Sequence, residues 1–356
     1  MSNHRLEPCI DRYSRQERFA PIGSHGQKLL RKSHVLVIGA GALGSASAES
    51  LVRAGIGRLT IVDRDYVEWS NLQRQQLYTE KDVRERLPKA IAAKQHLEAI
   101  NSEVCIEAKV WDVRSEELTK LIDGVDIIVD ACDNFKTRFI INDVAQQHRI
   151  PWIYGACVGS YGISYTILPG ETPCLSCMMD LVPGDGESCD IDGIIGPAVQ
   201  MVVANQTTEA LKILTGNVEA LHRKLVSFDL WSNQFSHINI QSMKNEQCTS
   251  CGTEATYPFL QSSPIIGNEK AAALCGRDTV HIKPSRTMTL SIEELVLYFE
   301  NQEEITIETS NSFLLSANIN TLRVVLFKDG RALVHGTADV GQARQLYNKL
   351  LGNYPT

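Results

Sequence analysis

Apolar residues fall along the chain in short runs that alternate with longer stretches of helical period. HVLVIG at 34–39 is an apolar strand that ends at a glycine, and the Ala-rich AGALGSASAESLVRAG after it reads as a helix stopping at Gly55. RLTIVD (58–63) is a second strand, and Pro88 opens a helix to about Ile100. VDIIVDA (125–131) is a buried strand, followed by a helix over Lys136–Gln147 and by the strand IPWIY at 150–154. Strands alternating with helices of this length predict a mostly parallel sheet covered on both faces.

The pattern then changes. PAVQMVVANQTTEALKILTG (197–216) begins with a proline and ends with a glycine, which predicts one long helix. KLVSFDLWSNQFSHINI (224–240) reads as an antiparallel hairpin extending the sheet. Irregular sequence near 253–277 predicts a linker between a main domain (1–252) and a small C-terminal α+β unit (278–356). In that unit helices are expected near 291–301 and 340–351, with strands near 304–308, 313–315 and 322–327 and a turn at Asp329–Gly330.

Composition narrows the function classes. Apolar residues make up 43% and charged residues 22%, which suits a water-soluble folded chain. The net charge is −7 with no block of Lys or Arg, which argues against nucleic-acid binding, because that needs a basic surface to displace counterions. The N-terminus has no apolar signal region, and no apolar run reaches the roughly 18 residues of a membrane span. A cytoplasmic setting is therefore expected, where paired cysteines among the ten present are metal ligands or catalytic groups rather than disulfides.

The candidate chemistry starts at the glycine loop. Gly39, Gly41 and Gly44, with Ala42 between them, form GxGxxG between a strand and a helix. Such a turn lets the backbone approach phosphate at the positive end of the helix. Asp63, ending the next strand, can hold ribose hydroxyls. The loop alone fits NAD or FAD as well as ATP. The segment after Asp63 favours a triphosphate: Asp65, Ser70, Asn71, Leu72, Gln73 and Arg74 cluster there, and Lys89 follows at a helix start. A polyphosphate needs fixed cations and amide donors of this kind, and a nicotinamide enzyme does not.

Asp133 lies just past the strand that contains Asp130, on the side of an open sheet where ligands sit. A carboxylate there serves polyphosphate by holding Mg²⁺. Alternatively Asp133 or Asn134 caps the helix that begins near Phe135. Cys174–Cys177 and Cys248–Cys251 are two CxxC pairs, expected to form one tetrahedral structural zinc site. A redox dithiol is the rival reading.

Taken in order, YSRQ (13–16), GAGALG (39–44), IVDRDYVEWSNLQRQ (61–75), LPK (87–89), DACDN (130–134), PCLSC (173–177) and CTSC (248–251) resemble the MoeB/ThiF/HesA family of ubiquitin-activating-type enzymes over residues 10–252. The resemblance implies a homodimeric adenylyltransferase. Such an enzyme uses ATP to activate the C-terminal carboxylate of a ubiquitin-like sulfur carrier, of ThiS or MoaD type, for thiamine or molybdopterin synthesis. It further implies that Asp63 holds ribose, that Arg74 and Lys89 contact polyphosphate with Asn71 and Gln73 close by, and that Asp133 organises Mg²⁺. Arg15 would enter the neighbouring subunit's site. Cys189 matches a position that is reactive in some relatives and there would accept an acyl group or sulfur, with a cysteine desulfurase or another sulfur donor as partner; an inert cysteine is the rival reading. The competing readings are a nicotinamide oxidoreductase and a tRNA-modifying relative of the same fold. Two departures stand out: Arg86-Leu87-Pro88-Lys89 replaces the family's frequent Gly-x-Pro-Lys, and residues 278–356 contain no cysteine and so no rhodanese loop.

Overall fold

The computed structural model describes residues 12–181, 193–261, 270–273, 278–284 and 288–351. The chain divides into two compact units, one of residues 1–82 and 88–261, the other of Val83–Leu87 and Ser262–Thr356. Among the described residues no helix is long and apolar enough to cross a membrane.

The first unit is built on one eight-stranded sheet. Its strands are β1 (His34–Ile38), β2 (Arg58–Val62), β3 (Cys105–Lys109), β4 (Ile127–Asp130), β5 (Trp152–Val158), β6 (Tyr161–Ile167), β7 (Leu225–Asp229) and β8 (Gln234–Ile238), in the order β3-β2-β1-β4-β5-β6-β7-β8. The pairs from β3 to β5 are parallel and those from β5 to β8 antiparallel, which is the α/β sheet with antiparallel extension that the hydrophobic pattern predicts. Every residue of β1 and β4 is buried, as expected of parallel strands covered on both faces.

The helices of this unit are α1 (Ser14–Glu17), α2 (Gly23–Leu30), α3 (Ala42–Ala54), α5 (Lys89–Ile100), α6 (Ser115–Leu121), α7 (Phe135–His148) and α8 (Gly196–Leu214), while α4 (Glu80–Arg84) runs across the division between the units. α8 starts with Pro197 in its first turn and buries Ala198, Val199, Val202 and Val203 against Leu43 and Ala46 of α3 and Phe228 of β7. A second cluster under β4–β6 contains Trp152, Tyr154, Ile163 and Tyr165 together with Cys174 and Met178. β3 and α6 carry too little apolar periodicity to be read from sequence, whereas β6, YGISYTI, alternates large apolar and small or polar residues and is a strand the sequence reading passed over. β3 is CIEAK, an edge strand with its first residue exposed.

The second unit is a six-stranded antiparallel sheet in the order β11-β12-β13-β14-β10-β9, with β9 (Lys270–Ala273), β10 (Thr279–Lys283), β11 (Ile305–Ser310), β12 (Leu314–Ile319), β13 (Leu322–Phe327) and β14 (Ala332–His335). Helices α9 (Ile292–Glu300) and α10 (Val340–Leu351) pack Leu295, Phe299, Ala343 and Tyr347 onto it. Part of the stretch expected as linker is therefore strand, because β9 pairs with β10. Its short KAAA sequence has no alternation to reveal it.

Candidate active site

Strand order reverses beside β1, whose neighbours are β2 and β4, so a crevice opens at the carboxyl ends of these strands. Gly39 follows β1 with φ +98°, and a side chain there would meet the Ala131 carbonyl oxygen at 2.3 Å. A Cβ at Gly44 would come within 1.8 Å of the Gly39 carbonyl oxygen. Both glycines are thus required where the loop approaches the end of β4 and folds onto its own helix. Gly41 is different: a Cβ there would meet only the Gln75 amide, at 3.9 Å. Gly41 and Ala42 open α3, whose first free N–H groups lie at this crevice.

Asp63 directly follows β2 and braces the loop. Its two carboxylate oxygens accept the Ala40 N–H at 2.6 Å and the Asp65 N–H at 2.7 Å. Burial pushes its carboxyl up, opposed by the charge of Lys89 and by these two amides. Lys89, the first residue of α5, is only 8% exposed, and its Nζ lies 3.4 Å from Asp65 Oδ2. Burial alone would drive this ammonium toward neutrality, but Asp65, then Asp63, Asp133 and Glu68, outweigh it and raise its pKa. Lys89 is therefore a fixed, buried cation facing a group of carboxylates that includes Asp133.

Asp133 is exposed after β4, and its Oδ1 accepts from the Asn134 amide at 3.0 Å. Asn134 is the cap of α7, accepting the Thr137 N–H at 2.9 Å. The cap role falls to Asn134 and leaves the Asp133 carboxylate facing solvent.

The SNLQR segment forms a tight turn. Asn71 is 2% exposed, and its Oδ1 accepts the Glu68 N–H at 3.0 Å in a capping box. Asn71 thus shapes the turn that carries its neighbours. Ser70 and Gln73 are exposed and Leu72 half-buried. Arg74 donates to the Ser70 carbonyl at 2.8 Å. Arg15 is exposed on α1. Cys189 lies outside the described residues.

Several groups escaped the sequence reading. The Tyr78 hydroxyl donates to the Ala40 carbonyl at 2.6 Å, with the Lys89 carbonyl 3.1 Å away, and so ties the glycine loop to the start of α5. Gln75 is buried, its Oε1 has no hydrogen-bond partner among the described residues, and its amide faces Gly41. Arg64 donates to Asp112 at 3.1 Å and also feels Asp65 and Asp133, which keeps it firmly charged despite burial. Arg64 and Gln75 both lie inside the IVDRDYVEWSNLQRQ motif, which is the signal that could have found them, whereas Tyr78 lies beyond it.

The two CxxC pairs meet elsewhere in this unit. The Sγ atoms of Cys174, Cys177, Cys248 and Cys251 all lie within 4.8 Å of one another. Three of the separations are 3.9, 3.6 and 3.5 Å. A tetrahedral ion with metal–sulfur bonds of about 2.3 Å sets its ligands about 3.8 Å apart, so the four thiols fit zinc without rearrangement.

A doubly wound sheet with a glycine loop and a buried lysine among carboxylates is the arrangement of a nucleotide-binding α/β protein, here with four thiols placed so that they could hold a metal ion. The ThiF family pattern matches residues 13–250, and the chain belongs to that family. It is 51% identical over 341 residues to the sulfur carrier protein ThiS adenylyltransferase of Bacillus subtilis (strain 168), covering 96% of this chain and 99% of that relative. It is 37% identical over 254 residues to a sulfur carrier protein adenylyltransferase of Thermus thermophilus, covering 69% and 92%. MccB of E. coli, in its crystal structure with ATP, superposes with a TM-score of 0.59 at 22% identity over 68% of this chain and 74% of that one, and so shares the fold.

Proposed function

We propose that this chain uses ATP to adenylate the C-terminal glycine carboxylate of a ubiquitin-like sulfur carrier. The observation that carries the reading is the buried Lys89 cation beside Asp65, Asp63 and Asp133 at the mouth of the glycine loop. Relatives named as sulfur carrier adenylyltransferases support it, and the match along almost the whole chain to a ThiS enzyme favours a ThiS-type carrier and thiamine synthesis over a MoaD-type carrier and molybdopterin.

The carrier carboxylate is already an anion. It attacks the α-phosphate, a carboxyl–phosphate bond forms, and pyrophosphate leaves with the electrons of the broken bridge, so no protein base is needed. The enzyme contributes orientation and charge stabilisation. Gly39–Gly44 and the start of α3 cradle phosphate, and Asp63, held by two amides, keeps a lone pair for ribose. Ala42, Leu72 and Asn134 line the nucleotide's surroundings, while Ser70, Asn71 and Gln73 hold the turn from which Arg74 reaches the polyphosphate together with Lys89. Mg²⁺, when bound at Asp133, neutralises phosphate charge. Arg15 completes the site of a second copy in a homodimer, and zinc holds the four cysteines together. Cys189 either attacks the acyl-adenylate, forming a thioester as AMP leaves, or takes the outer sulfur of a cysteine desulfurase persulfide, whose own thiol is released. The chain works in the cytoplasm.

ATP–pyrophosphate exchange tests the reading. Exchange is expected only with Mg²⁺ and a carrier ending in Gly-Gly. Exchange that runs equally fast without carrier would remove protein carboxylate activation as the reaction.

A further inference from the structure

Gln75 lies within the first unit, and its backbone is fixed at both ends. Its N–H donates to the Asn71 carbonyl at 2.9 Å, and its carbonyl accepts the Tyr78 N–H at 3.1 Å. The Tyr78 hydroxyl in turn bonds the Ala40 carbonyl, so Gln75 and the glycine loop belong to one frame. The side chain is only 4% exposed, yet its Oε1 has no hydrogen-bond partner among the described residues. An orphaned buried carbonyl costs stability, and an apolar side chain of the same shape would avoid that cost. The amide nitrogen lies 3.9 Å from the point where a Cβ on Gly41 would sit, and among the described residues nothing else comes within 4 Å of that point. The amide therefore borders open space over the residue that opens α3. Asp63, read as the holder of ribose, accepts the N–H of Ala40, the residue before Gly41. The α-phosphate is joined to the ribose through a single methylene, so a ribose at Asp63 sets the α-phosphate over Gly41 and beside Gln75.

We propose that Gln75 is a catalytic residue: its amide N–H donates to a non-bridging oxygen of the α-phosphate while the carrier carboxylate attacks. The proposal rests on the reading of this crevice as the site of carrier adenylation. As the carboxylate oxygen bonds to phosphorus and the bridge to the β-phosphate breaks, negative charge passes onto the non-bridging oxygens and the departing pyrophosphate. Lys89 and Arg74 meet polyphosphate charge that is present before the reaction as well as during it. A neutral amide at the α-phosphate adds little to the binding of ATP and most where charge grows, which is the condition for raising the rate rather than the affinity. Its backbone bonds to Asn71 and Tyr78 hold it ready, so the donor needs no rearrangement at the moment of reaction.

Gln75→Met in the full-length chain tests this, because it removes both polar atoms and keeps the shape. The kcat of carrier-dependent ATP–pyrophosphate exchange is expected to fall about a hundredfold, the scale for one lost donor, with KM for ATP within about twofold of the parent. The melting temperature should equal or exceed the parent's, since the orphaned carbonyl leaves with the amide. A side chain kept for packing would lower rate and melting temperature together. The two diastereomers of ATPαS locate the contact, because each carries sulfur, a weak hydrogen-bond acceptor, in place of one non-bridging α-oxygen. The ratio of their exchange rates should differ by at least about fivefold between the parent and Gln75→Met, the worth of one hydrogen bond. Gln75→Glu keeps Oε1 but has no donor when ionised, and should lose at least as much rate. A melting temperature of Gln75→Met well below the parent's, or failure to fold, would make Gln75 a packing residue and overturn the proposal. So would a raised KM for ATP with unchanged kcat, an unchanged diastereomer ratio, or a normal rate in Gln75→Glu. Parent exchange that needs no carrier would remove the adenylation reading and this proposal with it, whereas carrier-dependent exchange in the parent with a normal rate in Gln75→Met removes this proposal alone.

Discussion

Arg138 Nε lies 3.0 Å from Asp130 Oδ2, and this ion pair is buried, with Asp130 wholly enclosed and Arg138 only 6% exposed. The other Asp130 oxygen accepts the Cys132 N–H at 2.9 Å. Arg138 Nη2 donates to the carbonyls of Cys132 at 2.6 Å and Gly155 at 3.0 Å. The guanidinium also lies over the rings of Tyr154 and Phe135. One arginine on α7 thus ties together β4, β5 and the turn that presents Asp133. Its charge is neutralised at one end and hydrogen-bonded at the other, the condition under which a buried pair survives desolvation.

Breaking this pair is expected to leave Asp130 as a buried, unpaired charge. Arg138→Met should destabilise the fold by about 3–5 kcal/mol near neutral pH. Burial already pushes the Asp130 carboxyl above its usual range, with Arg138 opposing it, and removing Arg138 lets it rise further. A carboxyl whose folded pKa lies above its unfolded one favours the fold while protonated, and that contribution is lost as pH rises through the folded value. The deficit of the variant should therefore be largest at neutral pH and shrink toward pH 5. Urea denaturation at both pH values measures it, and an equal deficit at both would mean that the Asp130 charge is not the cause.

Arg74→Ala and Asp133→Ala are each expected to lower carrier-dependent exchange by at least about a hundredfold, the scale for losing a preorganised charge partner. Neither side chain is in the core, so melting temperatures should stay close to the parent. Near-normal rates in both variants would move the reactive centre away from the β1–β4 crevice.

What could be read from sequence was what local pattern encodes. Gly39 and Gly44 sit where the chain folds back on itself, and a glycine there announces the constraint within a few residues. The paired cysteines advertise their metal by spacing alone, although which pairs meet depends on about seventy residues of intervening fold. Asp130 stands in the DACDN motif, but its pairing with Arg138 gave no such signal. An arginine in a helix normally faces solvent, and only the placement of β5 across from α7 turns it inward. Arg86 was visible only as an unexpected residue before Leu87-Pro88-Lys89, because its partners Glu308 and Ser316 lie more than two hundred residues away. β3 and β9 were missed because an edge strand and a four-residue strand bury too little to impose alternation.

Arg15 is exposed on a short helix anchored by Gln16, whose amide donates to the Ala54 carbonyl at 2.8 Å. If Arg15 serves a second copy's site, Arg15→Ala and Asp133→Ala chains should each be poorly active alone. Mixed and allowed to exchange at random, they should recover activity at about a quarter of the sites, because half the dimers are mixed and each has one intact site. Mixed dimers shown to form without recovery would mean that each site takes Arg15 and Asp133 from the same chain, or that Arg15 has no part in it.

The four-thiol cluster makes the last prediction, because its second layer reaches into α7. The residue after the first cysteine differs between the pairs, but the next is serine in both, and the Ser176 and Ser250 hydroxyls meet at 2.9 Å. Ser176 lies 3.5 Å from the Asn142 amide, while Asn142 Oδ1 accepts the Leu175 N–H at 2.9 Å. Asp143 accepts the Phe259 N–H at 2.9 Å and is hydrogen-bonded by Ser250. Both knuckles are therefore fastened to the middle of α7 as well as to each other. Structural zinc contributes roughly 10–16 kcal/mol of apparent binding free energy in small fingers, and here the cluster around Trp152 and Tyr154 already holds much of the same region, so the share left to the metal is smaller. One zinc per chain is expected by elemental analysis of protein purified without chelator. Cys174→Ser should lower the melting temperature strongly. In hydrogen exchange, protection should fall first around residues 174–177 and 248–251 and in the middle of α7, while the Asn134–Thr137 cap and the glycine loop keep theirs. The folded fraction should still bind ATP, since the four thiols pack with the cluster around Trp152 and Tyr154, whereas Gly39–Gly44 and Lys89 sit at the start of α3 and α5. Absence of zinc, or a Cys174–Cys177 disulfide that forms and breaks during turnover, would replace the structural role with a redox one. A uniform loss of protection through α3 and α5 would show that the metal supports the whole sheet and not only the knuckles and the helix they grip.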